Sequence, residues 1–452
     1  MELSISLTGD SAKYIQIYEE IRQSILARRL LGHEQLPSKR ALARTLDVSV
    51  HTVKEAYEQL LVEGYVYSKE RSGYFIAPFE FDWVQEEQQH ETPLGTIISN
   101  DIQYDFHNGH VDKEAFPYSL WHKLLKKHVN KNNLSTSPWA GEDVLRSEIA
   151  RYVQRSRGVV CNVSQVFVYG GTQSQLQALS LFFGPQSKVG VEEPGFKRVH
   201  TTLRQCGLST EAIPVDKAGI TLPSKTIHML YTTPAHQFPL GMIMTVERRA
   251  ALLQWANLND AYIIEDDYDS EFRYKGQPIP SLAKMDQLQR VIYFGTFSKT
   301  LLPSLRISYM ILPKSLIASF NAFNHEQKSV VSRVEQLVLA DFIAEGQFDK
   351  HLAKMRTVYR KKQQALLTAI STHFSEEFQI IGEKSGLHIV MKLPNRLSEK
   401  NAIQLAQKIG ILVYPCSTSY QHGTEDTLII LGYGGLTLQQ IDEGIALLAS
   451  VW

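Results

Sequence analysis

This sequence has few cysteines, no net charge and no long apolar run. Its three cysteines, Cys161, Cys206 and Cys416, are widely spaced in 452 residues, which excludes a disulfide framework and a zinc site of the CxxC type. We therefore expect no metal. No stretch reaches the roughly 20 apolar residues of a membrane-spanning helix. Lys and Arg number 47, as do Asp and Glu, so the overall charge does not indicate an anionic partner.

Composition and length are those of a globular protein with more than one domain. Apolar residues make up 43% and charged residues 21% of the chain, values that exclude a largely disordered or fibrous protein. The length predicts two or three domains. The first residues, MELSISLTGD, lack the basic start and the following apolar run that a signal peptide needs. We expect a cytoplasmic protein that does not bind a membrane.

A change of pattern near residue 80 divides the chain. Residues 79–103 carry acidic and Gln-rich clusters without a sustained period, and this predicts a linker. We expect a small domain in residues 1–78 and a larger one in residues 104–452. The larger one is expected to include a C-terminal subdomain from about residue 330.

Before the linker, the pattern predicts three helices and a hairpin. The first helix is indicated by an apolar stripe at helical spacing, formed by Tyr14, Ile17, Tyr18, Ile21 and Ile25. Ser38 and Ser49 are available to cap a second and a third helix, and the second is expected to bury Ala41, Leu42 and Leu46. Residues 65–67 and 74–77 predict two short strands around a turn. This order is that of a winged helix.

The helix–turn–helix predicts a DNA-binding face. The start of its second helix enters the major groove in such motifs, and basic side chains and a wing turn contact phosphates. The candidate contacts are Lys39, Arg40, Ser49, His51, Thr52, Lys54, Arg71, Ser72 and Gly73. Residues 36–57 hold four basic and two acidic residues, so we expect modest, salt-sensitive affinity. On periodicity alone, a small helical docking domain with solvated charges fits equally well.

The residues of this part resemble a known family. The run LPSKRALARTLDVSVHTVKEAYEQLLVEGY, followed by RSGYFI, is similar to the winged-helix domain of the GntR family of bacterial transcription regulators. The resemblance implies a double-stranded DNA operator as partner. Val50 stands where many relatives carry arginine, which puts one contact in doubt and leaves more to Arg40, His51 and Thr52.

After the linker, apolar strand-like runs alternate with helical stretches. The predicted strands are residues 166–169, 188–191, 227–231, 262–264, 291–294 and 306–312. Buried strands separated by helices predict an α/β domain with a parallel or mostly parallel sheet.

Four features of this second part meet the needs of a pyridoxal phosphate site. Lys299 offers an amine beyond one strand, and Asp266 offers a carboxylate for the pyridine nitrogen beyond another. Phe196 offers an aromatic face, and Gly170-Gly171 offers a phosphate cup at a helix start. Taken singly, these are more often a surface lysine, an acidic loop, a core aromatic and a tight turn.

Taken together, the features resemble fold-type I pyridoxal-phosphate enzymes over residues 104–452. Gly171-Thr172-Gln173, Asp266-x-Tyr268, Ser298-Lys299 and Arg306 follow their order, and residues 233–241 (TPAHQFPLG) are similar to their Pro-Gly loop. By this resemblance, Lys299 would form an imine with the cofactor, Asp266 would pair with the pyridine nitrogen, Tyr268 would meet the ring oxygen and Phe196 would stack. The phosphate would be bound by Thr172, Gln173, Ser298 and Arg306, beside Gly171.

A GntR-like head on an aminotransferase-like body resembles the MocR/GabR family of regulators. The resemblance implies a homodimer in which the head of one chain reaches across the body of its partner. It also implies pyridoxal 5′-phosphate as a cofactor that serves sensing rather than turnover.

One departure bears on the signal that is sensed. Aminotransferase-like proteins place an arginine for the substrate carboxylate in a C-terminal strand, where this chain has Ile430, and a carboxylate left unpaired in a pocket is costly. This favours pyridoxal phosphate itself as the signal. The resemblance to relatives that control vitamin B6 synthesis implies that output here. Arg198 is a candidate effector-binding residue, or equally a surface arginine. An amine or amino-acid sensor, an active aminotransferase and a scaffold without cofactor remain alternatives.

Overall fold

The computed structural model describes residues 5, 7, 11–78, 102–274, 280–375, 378–394, 397–424 and 427–452. They form two compact units, one ending at residue 78 and the other starting at residue 102. The predicted linker lies outside the described residues, apart from residues 102 and 103.

The N-terminal unit consists of three helices followed by a hairpin. Its elements are α1 (Lys13–Leu26), α2 (Lys39–Thr45), α3 (Val50–Val62), β1 (Val66–Lys69) and β2 (Gly73–Ile76). The hydroxyls of Ser38 and Ser49 accept hydrogen bonds from the amides of Ala41 and Thr52, at 3.2 and 3.0 Å. Both predicted helix caps are thereby confirmed.

The core of this unit lies between the helices and the hairpin. Its centre is formed by the fully buried side chains of Ile17, Ile21, Val53, Tyr57 and Leu60. The prediction that Ala41 is buried is wrong: Ala41 is exposed, and Ala43 is buried instead. The short α2 turns Leu42 and Ala43 toward the core, and Ala41 lies on its outer side.

The larger unit contains eleven α-helices within the described residues. They are α4 (Tyr118–His128), α5 (Asp143–Arg157), α6 (Thr172–Phe183), α7 (Lys197–Gln205), α8 (Val246–Leu258), α9 (Leu282–Met285), α10 (Lys314–Asn324), α11 (Arg333–Ala344), α12 (Gln347–His373), α13 (Glu399–Lys408) and α14 (Leu438–Val451). None of them is long and apolar enough to cross a membrane.

An eight-stranded sheet forms the centre of the larger unit. Its strands are β4 (Val166–Tyr169), β5 (Lys188–Glu193), β6 (Ser209–Asp216), β7 (Gly219–Ile220), β8 (Met229–Thr232), β9 (Tyr262–Asp267), β10 (Val291–Thr296) and β11 (Ser308–Ile311). The spatial order is β4-β11-β10-β9-β8-β5-β6-β7. The five strands from β10 to β6 are parallel, whereas β11 pairs antiparallel with both β10 and β4, and β7 with β6. The predicted α/β architecture is confirmed, with antiparallel pairs toward both edges.

A second, smaller sheet lies in the C-terminal part. The remaining strands are β3 (Tyr104–Asp105), β12 (Gln379–Ile381), β13 (His388–Lys392), β14 (Ile411–Leu412), β15 (Tyr414–Pro415) and β16 (Leu428–Gly432). Strands β12, β13, β16 and β15 form an antiparallel sheet, and β14 pairs with β3 near the start of the unit. Helix α11 packs in the core of the large sheet. The core of the small sheet takes residues of α12 only from Met355 onward, which is later than the predicted start near residue 330.

Candidate functional site

A cavity of about 360 Å³ opens in the larger unit. The carboxyl ends of parallel strands meet at one edge of a sheet, where such folds bind ligands. The loops after β4, β5, β9 and β10 contribute to its wall. All residues predicted for the cofactor or effector line it, namely Gly171, Thr172, Gln173, Phe196, Arg198, Asp266, Tyr268, Ser298, Lys299 and Arg306.

Asp266 lines this cavity, and one of its carboxylate oxygens has no hydrogen-bond partner among the described residues. The side chain is buried at the end of β9, and one oxygen accepts a hydrogen bond from the Tyr231 hydroxyl. The other oxygen, Oδ1, is buried and has no hydrogen-bond partner within the described part of the chain. Burial raises the pKa of Asp266 to about 7, because a low-dielectric surrounding disfavours the charged form. A protonated ring nitrogen would satisfy this oxygen.

Lys299 lines the cavity from the loop after β10. Its Nζ donates a hydrogen bond to the main-chain oxygen of Asn108. Burial lowers the pKa of Lys299 to about 8, against the opposing charge of Asp269. A larger fraction of the amine is therefore neutral near pH 7 than in an exposed lysine, and the neutral amine is the nucleophile.

Phe196 forms part of an aromatic wall. Its ring stacks face to face on Phe238, with 3.9 Å between centroids and an angle of 4°, and it meets Tyr268 edge to face at 5.2 Å. Phe238 therefore fixes the orientation of the Phe196 ring from one side. Phe238 lies in the TPAHQFPLG run but was not among the predicted site residues.

The end of the cavity at α6 has the features of an anion cup. Thr172 and Gln173 begin α6, and the amides of a first helical turn have no partner inside the helix. The Arg306 guanidinium lies against Gly171, where any Cβ would overlap it. Arg306 precedes β11 with φ at +50°, so its assignment to the strand was wrong. Ser308 accepts a hydrogen bond from the Gly171 amide at 2.9 Å, which takes that amide away from any bound anion.

One segment of the cavity wall contains none of the predicted site residues. His107, Asn108 and Gly109, which follow β3, line the cavity beside Lys299. The amide of Gly109 donates to His107 Nδ1 at 2.9 Å, and burial lowers the pKa of His107. His107 is therefore neutral, with its hydrogen on Nε2. These residues match no motif and lie far in sequence from the rest of the site.

Ile430 takes part in an apolar cluster behind the cavity. It is buried in β16 together with Phe238, Tyr268 and Val390. Ile430 is not among the residues that line the cavity. Position 430 therefore offers the cavity no cation for a carboxylate, as the sequence indicated.

The predicted DNA-binding residues lie on α2, on α3 and around the hairpin turn. The Ser49 hydroxyl is engaged in capping α3 and contacts the Thr52 hydroxyl at 2.8 Å. His51 and Lys54 lie within 3.6 and 3.5 Å of Glu55 and Glu58 one turn later. Both hydroxyls therefore stabilise the helix start, and His51 and Lys54 each have an acidic neighbour.

The hairpin turn and α2 bring the other candidates to the surface. Arg40, Arg71 and Ser72 are exposed, and the amine of Lys39 lies 5.2 Å from the Tyr74 ring centre. Gly73 was predicted in the turn but is the first residue of β2, opposite Lys69, with φ at +105°. A glycine is needed there because this backbone conformation strains other residues.

Both units match known families. Residues 13–76 match the gntR family of bacterial regulatory proteins, and residues 103–445 match the class I and II aminotransferases. The HTH-type transcriptional regulator YhdI of Bacillus subtilis (strain 168) is 43% identical, over 97% of this chain and 95% of the relative. The probable rhizopine catabolism regulatory protein MocR of Rhizobium meliloti is 34% identical, over 100% and 96%. The pyridoxine biosynthesis transcriptional regulator PdxR of Corynebacterium glutamicum is 28% identical, over 93% and 91%.

Solved structures agree with the fold of the larger unit. The kynurenine aminotransferase of Pyrococcus horikoshii, in complex with PMP, superposes with a TM-score of 0.69 and 25% identity, over 77% of this chain and 90% of that chain. The chain is thus a transcription regulator that belongs to the MocR-type subfamily of the GntR family.

Proposed function

We propose that this regulator binds pyridoxal 5′-phosphate in the cavity around Lys299 and that the bound cofactor controls its binding to an operator. The observation that carries the proposal is the convergence of ten residues, taken from four separate parts of the sequence, on one cavity of about 360 Å³.

The residues present fit the cofactor in three respects. Asp266 Oδ1 is a buried acceptor without a partner among the described residues, which suits a protonated pyridine nitrogen. Because Gly171 has no side chain, the Arg306 guanidinium can lie directly against it. A Cβ at position 171 would displace the guanidinium. The first-turn amides of α6 and the Arg306 guanidinium together suit a phosphate group. The donor set is therefore complementary to the cofactor at both ends.

Pyridoxal phosphate, when bound, supplies an aldehyde that combines with a primary amine. Lys299 would hold it covalently, and Asp266 would keep the ring nitrogen protonated. Phe196 would cover one face of the ring, and Tyr268 would donate to its phenolic oxygen. Thr172, Gln173, Ser298 and Arg306 would hold the phosphate.

The effector that we favour is the cofactor itself, with control of vitamin B6 synthesis as the output. Position 430 is apolar and packed against Phe238 and Tyr268, so the protein lacks the usual anchor for an amino-acid carboxylate. The same feature argues against an active aminotransferase. The similarity to a regulator of pyridoxine biosynthesis supports this choice.

A sensor of an amine or amino acid is the second candidate. Arg198, at the start of α7, lines the cavity. Its guanidinium could pair with a carboxylate from a wall other than that of Ile430. An amino acid that takes the place of the Lys299 amine would then act as the signal.

The operator would be read by a homodimer. In such a dimer, the head of one chain reaches across the body of its partner, and the two winged helices contact half-sites at a fixed separation. Cofactor binding would change that separation, which is a coupling between two distinct sites. The contacts would come from Lys39, Arg40, His51, Lys54 and the hairpin turn, in a cytoplasmic protein.

The experiment that tests this function is an absorption spectrum of purified protein resupplied with pyridoxal phosphate. We expect a visible band that borohydride abolishes in the wild type and that Lys299→Ala lacks. A wild type without this band contradicts the proposal. Steady consumption of 2-oxoglutarate with an amino donor would instead favour the aminotransferase.

A further inference from the structure

A buried histidine–aspartate pair lies behind Tyr268. His236 Nδ1 lies 2.9 and 3.0 Å from the two carboxylate oxygens of Asp269, and 3.0 Å from the hydroxyl oxygen of Tyr268. The side chains of His236 and Asp269 are 1% and 2% exposed. The second ring nitrogen, His236 Nε2, is buried without a hydrogen-bond partner among the described residues. Of these groups, only Tyr268 belongs to the cavity wall.

Two glycines hold the imidazole in place. Gly386 has φ at +80°, and a Cβ there would overlap His236 Cε1 and approach Asp269 Oδ2 to 2.7 Å. Gly241 packs against His236 Nε2, where a Cβ would come to 3.1 Å. The ring therefore cannot move away from Asp269 without displacing backbone, and its contact with Tyr268 is fixed.

Among the described titratable groups next to His236, Asp269 is the one whose charge faces the imidazole. The ring of His388 lies 5.3 Å away, and its Nε2–H donates to the Pro239 oxygen at 2.9 Å. Burial lowers the pKa of His388 to about 3, so this ring is neutral. The charge of Asp269 also acts on Lys299, where it opposes the lowering of the lysine pKa by burial.

The position of one hydrogen follows from this geometry. An ionised carboxylate only accepts hydrogen bonds, so His236 Nδ1 must carry a hydrogen, directed at Asp269. A protonated Nδ1 has no lone pair and cannot accept from Tyr268. The Tyr268 oxygen can then only accept at this contact, and its own O–H remains available to the cavity.

We propose that Asp269 and His236 are positioning residues that keep Tyr268 oriented as a hydrogen-bond donor to the ring oxygen of the cofactor. This inference rests on the proposed function. Were the pair only a packing device, its loss would change stability but not the donor state of the phenol. Were Asp269 only a charge near Lys299, its loss would act on the chromophore directly.

A pH titration of the visible band separates these roles in the cofactor-loaded protein. A donor to an anionic ring oxygen stabilises the deprotonated chromophore, so Tyr268→Phe should raise the pKa of the band by about one unit, the value of a hydrogen bond to a charged group. Asp269→Asn should shift it in the same direction, because a neutral amide no longer holds the histidine hydrogen on Nδ1. With that hydrogen on Nε2, the Nδ1 lone pair can accept from the Tyr268 hydroxyl, which then turns toward His236. If Asp269 acted only as a charge, the same variant would lower the pKa.

The double variant and a matched control complete the titration. In the Tyr268→Phe background, Asp269→Asn should no longer raise the pKa, because the phenol through which it acts is absent. Asp341→Asn is the control, since Asp341 forms another histidine pair, 2.7 Å from His128, outside the cavity. It should leave the band unchanged. A rise in the double variant equal to that in Asp269→Asn alone would overturn the proposal.

A second measurement needs neither cofactor nor a folded variant of Asp269. Solid-state 15N NMR of histidine-labelled, cofactor-free wild type reports which ring nitrogen of His236 is protonated, with the signal identified by its loss in His236→Gln. We expect the hydrogen on Nδ1, and a hydrogen on Nε2 alone would overturn the inference. If no visible band forms, the proposed function fails, whereas the NMR result still decides the orientation of Tyr268.

Discussion

The guanidinium of Arg306 occupies the space in which a side chain at Gly171 would lie. The two residues are 135 positions apart, and each has an unusual backbone. Gly171 has φ at +122° and Arg306 has φ at +50°. Their contact joins the start of α6 to the residue before β11, at the proposed phosphate end of the cavity.

This contact predicts that Gly171→Ala weakens cofactor binding. The added Cβ would displace Arg306 and strain a backbone that favours glycine. We expect the dissociation constant of pyridoxal phosphate, from a titration of the visible band, to rise about tenfold or more. Gly170→Ala is the control, since a Cβ at position 170 meets Val330, Ser174 and the main-chain oxygen of Arg306 at ordinary distances of 3.4, 3.8 and 3.9 Å. Equal affinities for both variants would contradict the assignment of this cup.

The buried carboxylate of Asp266 predicts a pH-dependent stability in the cofactor-free protein. Burial raises its pKa from an ordinary 3.8 to about 7, so the folded state binds more protons than the unfolded state between these values. The free energy of unfolding should therefore fall as the pH rises from about 4 to about 7.

Asp266→Asn should remove that dependence. We expect the variant to be more stable than the wild type at pH 8, by as much as about 4 kcal/mol, and not at pH 4, while it binds cofactor less tightly. Urea unfolding at the two pH values measures the difference. A variant that is destabilised equally at both would contradict the account of Asp266.

Arg198→Ala distinguishes the two candidate effectors. If an amino acid is the signal, loss of this guanidinium should abolish its effect on operator binding, because no arginine stands at position 430. If pyridoxal phosphate alone is the signal, its effect should persist. Arg204→Ala, on the same helix but away from this cavity, is the control. Operator affinity with and without each compound gives the result.

Two substitutions at Ser49 distinguish its role in capping α3 from a contact with DNA. Ser49→Ala loses the bond to the Thr52 amide and should destabilise the start of α3 by about 1 kcal/mol, seen as faster hydrogen exchange there. Ser49→Asp can still cap, so the exchange should stay slow. Its negative charge should nevertheless weaken operator binding about tenfold, because DNA phosphates repel it. Slow exchange together with unchanged operator affinity for Ser49→Asp would place Ser49 away from the DNA.

Local patterns were sufficient to predict much of the fold. The caps at Ser38 and Ser49 and the buried stripe of α1 depend on neighbours within a few residues, so they can be read directly from the sequence. The site residues at a strand end or in the loop just after one, such as Asp266 and Lys299, could also be predicted, because strand ends share one edge of a sheet.

Contacts set by long-range packing could not be predicted in this way. Asn108 reaches Lys299 only because β3 pairs with β14 and brings the start of the unit to the cavity. Tyr231 reads as an ordinary strand residue, and its bond to Asp266 depends on the register of neighbouring strands. Ser308 acquires its role only through the antiparallel pairing of β11 with β4.

Operator affinity as a function of pyridoxal phosphate concentration tests the central claim most directly. The account predicts that the cofactor changes the affinity of the wild type several-fold, about 1 kcal/mol or more of coupling, and that Lys299→Ala keeps one affinity throughout. A wild type whose operator affinity is the same with and without bound cofactor would contradict it.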